Sequence, residues 1–104
     1  MAEFKIMRNY MIEVNLPELI DNVFISLIPS QRDKINELMQ IGIILTYSLS
    51  GDRSKLWISM LGESESTIDK TLKTFPMYRY FDYKIIELAF HNNVAYRLPE
   101  LSLN

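Results

Sequence analysis

The chain has 104 residues, 48% of them hydrophobic, with no cysteine, one histidine and a formal net charge of -2. This length suits a single domain, residues 1–104, with a core over about 8–91 and a C-terminal arm over 92–104. The missing cysteines exclude disulfides, zinc-finger sites and a thiol nucleophile, and the acidic balance without any Lys/Arg cluster lacks the footprint of a nucleic-acid binder.

The first element runs from Asn9 to Leu16. Tyr10, Ile12, Val14 and Leu16 alternate with Met11, Glu13 and Asn15, the period of a half-buried strand. Pro17 ends it, because proline cannot donate to a sheet ladder. From Leu19 to Gln40, Phe24, Leu27, Ile28, Ile35, Leu38 and Met39 recur at helical spacing. Pro29 interrupts that pattern and predicts either a kink or a fresh helix with Pro29 in its first turn. Gly42 is the natural C-terminal stop.

Ile43–Ser50 reads as a second strand and Lys55–Leu61 as a third. The turn chemistry of Gly51-Asp52-Arg53-Ser54 joins them as an antiparallel hairpin. Ser64-Glu65-Ser66-Thr67 opens a second helix. Either serine can cap it, and Ser66 with Asp69 fits a capping box. Ile68, Leu72 and Phe75 form its buried stripe, and Pro76 stops it. Tyr80–Phe90 is expected as the longest strand, with Phe81, Tyr83, Ile85, Glu87 and Ala89 on one face and Asp82, Lys84, Ile86, Leu88 and Phe90 on the other. The tail after His91 holds Val94, Tyr96, Leu98, Leu101 and Leu103. It is too apolar for a typical disordered tail and is expected to lie against a neighbouring subunit.

The order predicts an α+β class, a ferredoxin-like βαββαβ domain with a four-stranded antiparallel sheet and both helices on one face. The opposite face would carry Met11, Glu13 and Trp57, a mix too apolar for open water. Two such sheets packed together make a dimeric α/β barrel, so the first expected partner is a second copy. No apolar run approaches the ~20 residues that span a bilayer, and Met1–Lys5 lacks the layout of a signal peptide. No membrane partner and a cytoplasmic location are therefore expected.

Several side chains are candidates for chemistry. Gln31 lies on the apolar stripe of the first helix, either as a buried amide satisfied by backbone or water or as a donor orienting a ligand. Tyr47, Trp57, Tyr78, Tyr80 and Tyr83 suit a flat apolar ligand, or serve core and interface packing. Arg53, in the hairpin turn, can hold a ligand carboxylate through its planar fork, or make a local or intersubunit ion pair. His91 can shuttle protons near neutral pH, or form a turn past a strand end. Glu13 becomes a general base if burial at a dimer interface raises its pKa, or else pairs with a lysine or arginine. Asp82 and Lys84 read as an ion pair. No second histidine or carboxylate cluster stands at metal-ligand spacing.

Leu16-Pro17, Gly42, Thr71-Leu72, Phe75-Pro76, Tyr80-Phe81-Asp82-Tyr83, Leu88 and His91 together make a pattern that resembles the muconolactone isomerases, from the first strand to His91. The Pro-x-x-x-Tyr-x-Asp stretch is its most specific part. The resemblance implies the dimeric α/β barrel, assembly up to decamers, and isomerisation of a lactone in aromatic compound catabolism without metal or organic cofactor. Pro76, Tyr80, Asp82 and His91 carry over directly. The family's carboxylate on the first helix falls at Gln31, which cannot take up a proton. The site tyrosine and asparagine near the third strand fall at Ser54 and Leu56. Three functions follow as expectations. The first is a muconolactone isomerase-like protein binding a small lactone-like or aromatic metabolite, with a cofactor-free isomerase as its enzymatic form. The second is a cofactor-free oxygenase-type barrel enzyme, and the third a non-catalytic binding or assembly module.

Overall fold

The alternation along the first strand becomes two physical faces in the computed structural model, which describes residues 6–92. In β1 (Arg8–Asn15) Tyr10, Ile12 and Val14 are buried, while Met11 and Glu13 on the other side are half-buried. The remaining elements are α1 (Asn22–Gln40), β2 (Ile44–Leu49), β3 (Lys55–Gly62), α2 (Glu65–Leu72), a 3-10 turn (Tyr78–Tyr80) and β4 (Asp82–Glu87). β1 lies between β3 and β4, antiparallel to both, with Ile12 opposite Ile58 and Ile85. β2 pairs with β3, giving the order β2-β3-β1-β4. That is the ferredoxin-like βαββαβ arrangement.

Ile35 and Leu38 of α1 and Ile68 and Leu72 of α2 share one core with Tyr10, Ile12, Val14, Leu56, Ile58 and Met60. Both helices therefore cover the same sheet face. Each such side chain contributes about 1.5–3 kcal/mol when fully buried. β2 carries one extra residue at Leu45, since Ile44 stands opposite Met60 and Thr46 opposite Ser59. This bulge keeps Ile44 and Tyr47 on the helix face and turns Thr46 and Ser48 to the other. Met11, Glu13 and Trp57 share the face that no described element covers, joined by Ile86 opposite Met11.

Four details correct the sequence reading or decide between its alternatives. α1 starts at Asn22 instead of Leu19, because Asp21 takes an extended backbone and its carboxylate accepts the Phe24 N–H at 2.8 Å. One helix runs through Pro29 with no restart. Pro29 lies on the exposed side, and the Ile25 carbonyl, to which it can donate no hydrogen bond, belongs to another exposed residue. α2 is capped by Ser64, whose hydroxyl accepts the Thr67 N–H at 3.2 Å. Asp69, the presumed box partner of Ser66, instead bonds Tyr83 and Lys73. β4 has six residues against eight in β1 and β3, so it is not the longest strand. The 3-10 turn occupies its expected start, with the Phe81 N–H bonded to the Tyr78 carbonyl.

Gly42 does terminate α1. It adopts φ 80°, and the Gly42 and Ile43 N–H groups bond the Met39 and Leu38 carbonyls, a Schellman closure that a side chain at that φ would strain. Among the described residues no helix is long and apolar enough to cross a membrane. The C-terminal arm expected over 92–104 lies outside the described residues from 93 onward.

Candidate functional site

The helical spacing of Phe24, Ile28, Gln31 and Ile35 puts them on one stripe of α1, and that stripe faces the sheet across a cleft of about 750 Å³. Its other wall comes from Leu16 after β1, Tyr47 and Leu49 of β2, and Leu56 of β3. Met77 and Phe81, between α2 and β4, complete the lining. A concave, mainly apolar space of about this size with a few convergent polar groups is the usual form of a small-molecule site.

Gln31 is the polar centre of the cleft and is 4% exposed. Its Oε1 accepts the Met77 N–H at 3.0 Å, which fixes the amide and aims Nε2 away from that bond. Nε2 is buried and finds no acceptor within hydrogen-bond distance, although the Tyr47 hydroxyl is near enough for the amide to act on that phenol. The buried-amide reading holds at the Oε1 end, which backbone satisfies, and the other end is a buried donor beside the Tyr47 hydroxyl. Burial pushes the Tyr47 phenol up, and the nearby Gln31 amide only partly offsets it. Tyr47 therefore stays protonated at neutral pH. Arg53 and Arg32 also line the cleft, and no Asp, Glu or His is among its described lining residues.

The other candidates lie elsewhere. Glu13 and Trp57 stand opposite each other on the far face of the sheet. Partial desolvation pushes the Glu13 carboxyl up. Lys55 at 3.5 Å, Lys84 at 3.8 Å and a hydrogen bond from Trp57 outweigh it and leave the pKa lowered. The lysine-paired alternative describes Glu13 in this chain, and Lys84 pairs with Glu13 instead of with Asp82. Tyr83 donates to Asp69, which ties β4 to α2, and its hydroxyl lies 3.4 Å from that of Tyr78 in the 3-10 turn. Burial and the Asp69 bond push the Tyr83 phenol up. Tyr80 donates to the Asp21 cap at 3.1 Å and meets the Phe24 ring edge-on at 5.1 Å, bracing the start of α1 beside the cleft. His91 follows β4 and is not part of the lining.

Of the expected ligand set, Gln31, Tyr47 and Arg53 are brought into one cleft. Trp57, Tyr78, Tyr80 and Tyr83 are not. Sequence reasoning did not single out Arg32, Phe24 or Ile28 as site residues. The only signal for them was their helical spacing around Gln31, which also fits plain core packing.

The fold and cleft define an α+β domain with a cavity between its first helix and its sheet, equipped with donors and guanidinium groups. The chain matches no protein-family model, and no curated protein is significantly similar to it.

Proposed function

We propose that this domain binds a flat, largely apolar metabolite of lactone-like or aromatic type, as a muconolactone isomerase-like protein that holds its ligand without converting it. The observation that carries this reading is the buried, unpartnered Nε2 of Gln31 in the wall of an apolar cleft. An orphaned buried donor costs about 1–3 kcal/mol. A carbonyl oxygen of a ligand would remove that cost, and the apolar walls would take the ligand's body. Binding is favoured over isomerisation because proton transfer needs a group of suitable pKa within reach. The described lining offers amide, phenol and guanidinium groups but no carboxylate or imidazole. The reading also has the domain working in the cytoplasm and pairing with further copies through Met11, Trp57 and Ile86.

Coumarin, a neutral aromatic lactone, is a direct probe. Calorimetry should show it binding the full-length protein, and Gln31→Leu should weaken it about tenfold, the worth of one buried hydrogen bond. Gln31→Glu keeps an acceptor for the Met77 N–H and replaces the donor, so it should weaken coumarin as well. Absence of coumarin binding, or binding indifferent to both substitutions, defeats the proposal.

A further inference from the structure

We infer that the ligand of this cleft carries a long alkyl chain in addition to its carbonyl-bearing ring, and that the chain runs from Gln31 out along one flank of α1; this rests on the cleft being a binding site. The residues of that flank follow from helical geometry. At about 100° per residue, Ile28 stands about 60° round α1 from Gln31, Met39 about 80° and Ile25 about 120°, all in the same sense. All three line the cleft. Their exposure climbs in the same order, 36%, 39% and 54%, starting from the buried Gln31. The apolar stripe of α1 thus continues past the core, up the wall of the cleft and into solvent.

The other flank shows that this is not a general property of the helix. Lys34, Ser30 and Glu37 stand there at comparable angles, with Val23 as the apolar exception. A helix packed on a core turns polar once its apolar stripe of roughly 100° ends, and α1 does so mainly on that side. On the cleft side the polar exception is Arg32, whose own stem is apolar. Leu49 of β2 and Ile20 before α1 add exposed apolar side chains to the same rim. Contiguous exposed apolar surface around a cleft marks a ligand groove. The cleft, at about 750 Å³, has the size that takes a drug-sized molecule, and a flat ring alone leaves its rim wet. A ring with its carbonyl oxygen on Gln31 Nε2 takes the deep end. The flexible, aliphatic side chains beyond it match an alkyl chain, which covers the rim.

The test compares γ-hexalactone with γ-dodecalactone, the same neutral ring with a short and a long alkyl chain, by calorimetry on the full chain. Burying one methylene raises affinity about fourfold. Even with the alkyl chain only partly covered, γ-dodecalactone should bind at least about thirtyfold more tightly. Ile25→Ser combined with Ile28→Ser should cut that ratio to less than about fivefold. Both side chains are exposed, so the variant should fold. Leu19→Ser, at an exposed apolar residue outside the described lining, should leave the ratio as it is. A wild-type ratio near one overturns this inference and, with coumarin still bound, leaves the binding reading standing. A ratio that survives the double substitution, or falls equally with Leu19→Ser, overturns it too. If the rim substitutions lower the mass seen by light scattering while the ratio stays near one, a second copy covers the rim and the inference fails. Failure of coumarin and both lactones to bind overturns the binding reading and this inference with it.

Discussion

Replacing Gln31 with leucine separates what the side chain does for the fold from what it does for a ligand. Two opposed changes meet at this position. The Met77 N–H loses its acceptor, 3.0 Å away, and an unsatisfied buried N–H costs about 1–3 kcal/mol. The same substitution removes the orphaned Nε2, whose burial costs a similar amount in the native protein. Leucine is close to glutamine in size and gains apolar contact with Phe24 and Ile35 on its own stripe and Leu56 across the cleft. The terms nearly cancel, so Gln31→Leu should lie within about 1 kcal/mol of wild type. Gln31→Ala keeps the unsatisfied N–H and opens a void, so it should lose about 2–4 kcal/mol. Urea unfolding followed by circular dichroism reads both values from the midpoint, provided the slope is unchanged. A leucine variant that loses more than about 3 kcal/mol would show that Nε2 is satisfied in solution, and the orphan-donor argument would fail.

Acid should loosen the β2–β3 turn. Bonds from the Ser54 hydroxyl and N–H, then the Ser50 hydroxyl, lower the Asp52 pKa from 3.8 to about 2. A depressed carboxyl stabilises the fold above its unfolded pKa, and that contribution fades as pH falls from about 4 toward about 2. The Ser54 amide resonance should shift across that window, and Asp52→Asn should abolish the shift; a resonance unchanged down to pH of about 2 contradicts the network. Light scattering should find an oligomer, because no described element covers the face with Met11, Trp57 and half-exposed Ile86. A stable monomer at micromolar concentration argues against it. Muconolactone should be isomerised at least about 10²-fold more slowly than by an enzyme with a carboxylate at the Gln31 position, since that is the usual loss on removing a general base. Family-like turnover in a spectrophotometric assay would show that the proton moves through a residue outside the described lining.

The parts of the fold set by local pattern were legible. Tyr10, Ile12 and Val14 alternate in sequence and in space, Gly42 stops α1, and Ile68, Leu72 and Phe75 are buried together. Misreadings arose where tertiary partners decide. Leu19 and Ile20 extend the apolar run before α1, yet Leu19 is 89% exposed, and the polar Asp21 sets the start. Asp69 could cap α2 by spacing alone, but Tyr83, brought beside it by the sheet, engages it first. Gln31 was legible as a polar residue on an apolar stripe. That the cleft exists beside it was not, because the gap depends on how α1 sits over the sheet. Parity could have removed Trp57 from the ligand set, since Leu56 and Ile58 on either side of it face the core.

The extra residue in β2 has a consequence for solubility. Among the described residues β2 and β4 are the two outer strands, where unpaired N–H and C=O groups invite another chain to add itself. On β2 the bulge at Leu45 breaks the even spacing of those groups near the start of the strand. β4 is short and carries Asp82, Lys84 and Glu87, charges that a flush incoming strand would have to accommodate. Neither margin offers a flat template, so the sheet resists growing sideways into fibrils and leaves face-to-face contact as the easier route for copies to meet.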